Sequence, residues 1–306
     1  MTTPRSPRTR PATIREQVRL APFTTWQVGG EARYFLEPTS VDEAVEAASW
    51  AREAGLAVAT IGRGSNLLVA DEGFEGLVLR FGNQFNQARF EGDRLICQAG
   101  LTCAQMVMLG VAKGLGGNEA MVGVPGTVGG AVAMNASCHG AAISEGFLQG
   151  RVLLQDGTVA AWDHADFRFT YRHSRLHEEP VVFLEGTWQL RPVDPAEAKA
   201  KVIEFQQWRH RMQPTNVPTG GSTFRNPGEP HPAAGALIEL VGAKGLRIGG
   251  AEVSEKHANF IVNRGGATAS EINALVSEIQ KRVFESHGVM LRPEVVGLGL
   301  TVGLPC

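Results

Sequence analysis

Glycine is the residue that most constrains this chain. It fills 37 of the 306 positions, about one in eight, against ~7% in average usage. In a globular chain so many missing Cβ atoms mean backbones pressed close to something, or turns through positive φ. The glycines are concentrated. One knot, Gly62-Arg63-Gly64-Ser65-Asn66, follows directly on the apolar run Ala57–Ile61. A second runs from Gly123 through Pro125, Gly126, Thr127, Gly129 and Gly130 to Ala131. Stripped backbone lets successive N–H groups converge on an anion. Arg63 adds charge there, and Ser65, Asn66 and Thr127 add side-chain donors. Two such loops flanking one helix suit a pyrophosphate clamp with a flat ring system lying on the backbone. Two blander readings compete: a tight turn between strands for the first loop, and helix–strand packing through glycine for the second. The first loop is only part of a dinucleotide fingerprint, because GRGSNL lacks the third glycine and the acidic partner ~20 residues on. No GxxxxGK[ST] occurs, which argues against a P-loop nucleotidase.

The composition narrows the class. Hydrophobic residues make up 43% and charged residues 20%, a globular and not a disordered balance. Lys and Arg number 29 against 31 Asp and Glu, so no strongly basic domain points to nucleic acid. No apolar run reaches the ~20 residues that span a bilayer. The start, MTTPRSPRTRPATIREQVRL, has no apolar core of a secretory signal. The four cysteines, Cys97, Cys103, Cys138 and Cys306, form no CxxC pair and read as reduced thiols of a cytoplasmic protein. The eight histidines show no metal-binding spacing, so no metal is expected.

Local signals predict the elements. Ser40 with Glu43 is a capping box that opens an Ala-rich helix ended by Gly55. A helix follows Thr102 and ends at Gly114. Asp156-Gly157 marks a hairpin turn. Asp194 caps a long helix from Pro195. Thr268 with Glu271 opens an amphipathic helix that Gly288 stops. The Pro/Gly-rich stretch from Pro214 to Pro232 reads as irregular, and VMLRPEVVGLG as the last strand. The expected division is a disordered or extended tail over 1–22, one domain over 23–193 and another over 194–306.

GRGSNLL followed by VPGTVGGAVAMNA resembles the FAD-binding domain of vanillyl-alcohol-oxidase-like flavoproteins. YRHS, GGSTFRNP, GAKGLRIGGAEVSEKHANFIVN and LRPEV resemble the UDP-N-acetylenolpyruvoylglucosamine reductase family, in its shorter class. The likeness runs from about Phe23 to Gly299. It implies an α+β fold: a two-subdomain FAD-binding domain followed by a smaller α/β substrate domain. It implies non-covalent FAD, NADPH as hydride donor and UDP-N-acetylglucosamine enolpyruvate as substrate. The product would be UDP-N-acetylmuramate, a peptidoglycan precursor. No protein partner is implied. His139 stands where members often carry tyrosine or histidine.

The resemblance also assigns roles. Arg172 matches the arginine that steadies the substrate carboxylate as its charge grows, for which a guanidinium fork is suited. Ser222 matches the proton donor, which needs a relay because a hydroxyl is a poor acid. Glu294 matches the catalytic glutamate. Arg225, Asn226 and Lys244 are the candidates for the diphosphate, with Lys256 and His257 behind them. Without the resemblance, Arg172 reads as a surface arginine beside Arg168 and Arg175, Ser222 as a loop residue, and Glu294 as an edge-strand charge. Two rival functions stay open: an FAD-dependent oxidase of a sugar or alcohol, and a nucleotide-binding module without catalysis.

Overall fold

The structure, a computed structural model, describes residues 9–305. The chain forms two compact units that interleave in sequence. The first takes Ala32–Gly62 and Glu75–Phe205 with the N-terminal stretch up to Val18; the second takes Arg19–Glu31, Arg63–Phe74 and everything from Gln206 onward. This differs from the expected division at 193/194. Trp26, Val28 and Leu68 are the reason: they are buried in one apolar cluster with Leu237, Ile272 and Ile279. The Trp26 indole N–H also donates to the Ile261 carbonyl at 2.8 Å. The boundary thus falls inside a helix and not before it. The expected tail differs too, within its described part. Arg15–Arg19 is a strand, and Ile14 and Leu20 are buried. Residues 1–8 of that tail, and Cys306, lie outside the described residues.

The first unit holds two sheets. One orders its strands Arg15–Arg19, Glu31–Leu36, Phe74–Arg80, Ala57–Ile61, the last two parallel. Helix α1 (Val41–Glu53) is capped by the Ser40 hydroxyl as predicted, but the expected box is incomplete: the Glu43 carboxylate takes the N–H and hydroxyl of Thr39. The helix buries an alanine stripe and Trp50. The other sheet is antiparallel, in the order Val159–Asp163, Phe147–Leu153, Val182–Gln189, Arg94–Gln98, Ala88–Glu91. Helix α2 (Cys103–Ala112) begins with a complete capping box at Thr102 and Gln105. Helix α3 (Val128–Ala133) is capped by Thr127. Burial pushes the thiols of Cys97 and Cys103 up, the latter to about 12, so both stay protonated at neutral pH.

Helix α4 (Pro195–Met212) is started by Asp194, whose carboxylate accepts from the N–H groups of Ala196 and Glu197. In the second unit the strands Thr219–Ser222, Phe260–Asn263, Ala251–Val253 and Arg247–Ile248 form an antiparallel sheet in that order. Helices α5 (Ala234–Leu240) and α6 (Ala269–His287) bury their apolar residues in the same cluster. The α6 ends match the sequence reading: Thr268 and Glu271 cap each other's backbone, and Gly288 ends the helix at φ 67°. Two readings change. Thr219–Ser222 is a strand inside the stretch expected to be irregular. The terminal strand is only Val296–Leu298, parallel to Leu67–Val69, so Glu294 precedes it. Among the described residues no helix is long and apolar enough to cross a membrane.

Candidate active site

In the first unit the second glycine loop is fixed by backbone. The Val128 N–H donates to Leu101, Gly129 to Ala99, and Cys103 donates to the Gly126 carbonyl. Pro125 is half-buried beside them. The Thr127 hydroxyl accepts from Gly130 N–H and lies where a Cβ on Gly62 would point. The hydroxyl thus spends a lone pair on the start of α3 and keeps its own proton to donate. Gly129 packs on Ala99, whereas a Cβ on Gly130 would meet only the Thr127 hydroxyl, at 3.7 Å. That leaves open space above an exposed, stripped backbone.

Arg172 lies on a separate turn that is tied to the C-terminal end of α3. Thr170 and His173 close a tight turn by mutual backbone hydrogen bonds. Arg172 occupies the left-handed region there, at φ 56°, which is uncommon for a bulky residue. The turn is pinned: Asn135 donates to the Thr170 carbonyl, and the buried Ser174 hydroxyl donates to the Ala133 carbonyl at 2.7 Å. The Arg172 guanidinium donates to the Ser137 hydroxyl at 2.6 Å. Arg168 pairs with Glu178 and Glu179, and Arg175 with Glu179. His139 stacks on Phe205 with ring centroids 4.2 Å apart.

In the second unit the first glycine loop is braced by its carbonyls. Thr25 N–H donates to the Gly64 carbonyl, and the Thr25 hydroxyl to that of Thr219 at 2.6 Å. Gly64 sits at φ 63°, and a Cβ there would run into the Phe23–Thr24 backbone. Asn66 donates its amide to the Glu294 carbonyl at 3.0 Å and accepts from Val296 N–H. The N–H groups of Arg63, Gly64, Ser65 and Asn66 find no partner among the described residues. Four consecutive uncommitted donors are what an anion-binding turn needs.

The same unit joins Ser222 to Glu294. Glu294 N–H donates to the Thr223 carbonyl at 2.8 Å, and Arg225 N–H to that of Arg292. Both Ser222 and Glu294 are half-buried. The Arg225 Nε and the Thr223 hydroxyl are buried with no partner among the described residues. Asn226 spends its carbonyl oxygen on the first N–H of α5. Lys244 pairs with Glu239 at 2.8 Å. His257 lies near both charges: burial, reinforced by Lys244, holds its imidazole below the ordinary value. Its Nδ1 accepts from Asn259 N–H, leaving the proton on Nε2. Lys256 instead caps the end of α4, donating to the His210 carbonyl. Among the described residues no cluster of His, Cys, Asp or Glu could hold a metal ion.

Known proteins match along nearly the whole chain. A family model described as an FAD-binding domain matches residues 32–162, and one described as the C-terminal domain of UDP-N-acetylenolpyruvoylglucosamine reductase matches 213–298. A UDP-N-acetylenolpyruvoylglucosamine reductase of Synechococcus sp. (strain JA-3-3Ab) is 40% identical over 287 residues, covering 94% of this chain and 91% of its own. The chain belongs to the UDP-N-acetylenolpyruvoylglucosamine reductase family. Another member, from Caldicellulosiruptor saccharolyticus, is 39% identical over 92% of this chain and 90% of its own. The crystal structure of the reductase from Thermus caldophilus superposes with a TM-score of 0.78 at 32% identity, covering 93% of this chain and 99% of that one. Both glycine loops fall inside the FAD-binding match. Each loop taken singly has a feature that suits such a cofactor: the uncommitted N–H groups of Arg63–Asn66 match a pyrophosphate, and the backbone at Gly130 is open on one side.

Proposed function

We propose that this protein reduces the enolpyruvyl group of UDP-N-acetylglucosamine enolpyruvate to give UDP-N-acetylmuramate in the cytoplasm, with NADPH as hydride source. The observation that carries this reading is the joining of Ser222, Glu294 and the first glycine loop in one backbone network, in a chain of this reductase family. FAD, held through the Arg63–Asn66 loop and the Gly126–Gly130 loop, would supply the two-electron relay between the nicotinamide and the terminal enolpyruvyl carbon.

The residues do the rest. Negative charge grows on the substrate's α-carbon and carboxylate as the hydride arrives. Arg172, held by its pinned turn and by Ser137, faces that carboxylate; a prealigned guanidinium costs no reorganisation at that moment. Ser222 gives its proton to the α-carbon. A lone hydroxyl is a weak acid, so its proton must be replaced, and Glu294 is the group tied to the same segment that can do so. Arg225, with its uncommitted Nε, takes the diphosphate together with the Asn226 amide N–H groups and Lys244. Lys244 exchanges Glu239, which is largely exposed, for a phosphate oxygen. Charge-assisted bonds of this kind are the strong ones.

Isotope placement tests the reading. With NADPH deuterated on the transferred position, the muramate product should carry deuterium on its methyl carbon. In D₂O it should carry it on the α-carbon. Deuterium appearing in the opposite pattern, or a flavin that is reduced by an alcohol and not by NADPH, would replace this reading with the oxidase one.

A further inference from the structure

The strand that presents Ser222 is irregular where its chemistry lies. Thr219 is paired with Val262 and Ser222 with Phe260, so the strand has an extra residue between these rungs, as at a β-bulge. Beyond Ser222 the ladder does not continue by backbone alone. One side chain takes over. Asn259 is 5% exposed. Its Oδ1 accepts from Phe224 N–H at 2.9 Å, and its Nδ2 donates to the Phe224 carbonyl at 2.8 Å. Its own carbonyl accepts from Thr223 N–H at 2.8 Å. The Thr223 carbonyl and Arg225 N–H turn to the opposite edge. There they meet Glu294 N–H and the Arg292 carbonyl. The short segment from Ser222 to Arg225 is thus gripped on one edge by Asn259 and on the other by the Glu294 segment.

We propose that Asn259 is a positioning residue for the reduction of the substrate. Its carboxamide replaces a rung of the ladder and sets the register between Ser222 and Glu294. This rests on the reading of those two residues as the proton-handling pair. A carboxamide offers a donor and an acceptor in one plane, the complement of the N–H and C=O of one extended residue. No shorter or purely apolar side chain does both. In Asn259→Asp one oxygen still accepts from Phe224 N–H, but the other faces the Phe224 carbonyl, acceptor against acceptor. Asn259→Ala leaves space for water to take up both groups, at a looser geometry. Neither change touches a group proposed to bind the nicotinamide or the flavin.

The test uses the FAD-loaded protein in anaerobic stopped flow, with NADPH and then the enolpyruvyl substrate. Misplacement of a reacting group by about 1 Å costs on the order of 10²-fold. For Asn259→Ala and Asn259→Asp we expect normal FAD content and reduction by NADPH within about twofold of the parent, because the proposal leaves that step alone. Reoxidation by substrate should slow by about 10–100-fold, with a larger solvent deuterium isotope effect. The double variant with Ser222→Ala should reoxidise no more slowly than Ser222→Ala alone, since both act on one proton transfer. Amide exchange of Phe224 in cofactor-free protein gives an independent readout, and should speed up in Asn259→Ala. Equal losses in both phases, additive losses in the double variant, or unchanged reoxidation would overturn the proposal. If Ser222→Ala itself reoxidises at the parent rate, the proton-donor reading fails, and that outcome is separate from any effect of Asn259.

Discussion

Arg172 carries a bulky side chain in the left-handed region, a strain of about 1–3 kcal/mol that persists only where surroundings enforce it. Ser174 and Asn135 do so by tying its turn to the C-terminal end of α3. The sequence alone left Arg168, Arg172 and Arg175 alike. In the structure Arg172 sits on the pinned Thr170–His173 turn and donates to Ser137, while Arg168 and Arg175 bridge to Glu178 and Glu179, placements that depend on residues outside the YRHS motif. Arg172→Lys keeps the charge and loses the fork. We expect the turnover number to fall about 10²-fold, with a much smaller change in substrate KM in steady-state kinetics. A raised KM at unchanged turnover would make Arg172 a binding residue only. Ser222→Ala should leave reduction by NADPH near the parent rate and slow reoxidation by about 10²–10⁴-fold. Asn259 opens the segment Asn259-Phe260-Ile261-Val262-Asn263. The available signal was a polar amide at the start of a β-branched run, which must find partners when buried.

At the scale of elements, the two glycine loops call for different experiments. Gly64→Val collides with the Phe23–Thr24 backbone and not only with a ligand. It should therefore cost about 2–3 kcal/mol of stability as well as FAD content, visible as a lower Tm in both loaded and cofactor-free protein. Gly130→Val should spare the Tm of cofactor-free protein yet weaken FAD in a titration, because only open space lies beside it. Equal FAD affinity in that variant would remove the loop from the binding surface. Helix α6 offers a pH test. Asp71 accepts from the N–H groups of Ala269 and Ser270 and from the Ser270 hydroxyl. Burial pushes its carboxyl up, but these hydrogen bonds outweigh burial and hold it below its ordinary value. A depressed carboxyl stabilises the fold above its unfolded pKa of ~3.9, and that contribution fades as pH falls through the folded value. Asp71→Ala should cost about 1 kcal/mol at pH 7, the scale of a lost cap, and the gap to the parent in thermal unfolding should close toward pH 2. A gap independent of pH would contradict the role. The caps at Ser40 and Thr268 were readable because capping is local chemistry within four residues. The strand Thr219–Ser222 was not: two glycines and a proline hide it, and its partners Thr25 and Ile261 are remote in sequence.

For the whole molecule, the order of motifs disclosed the class of protein, whereas the division into units stayed hidden. Trp26 and Leu68 are apolar residues in early segments, and nothing local says that they belong with α5 and α6. Periodicity reports which face of an element is buried, never which distant element buries it. In the proposed reaction one chain couples a nicotinamide to an enolpyruvyl group through bound FAD, with Ser222 needed only in the second step. The most direct measurement is the visible spectrum of the purified, anaerobic protein through both additions. The flavin spectrum should bleach with NADPH and return, stoichiometrically, when the enolpyruvyl substrate is added, with Ser222→Ala bleaching alike and remaining bleached. A protein without flavin absorbance after reconstitution with FAD, or one whose bleached spectrum returns only on admitting oxygen, would contradict the proposed reaction.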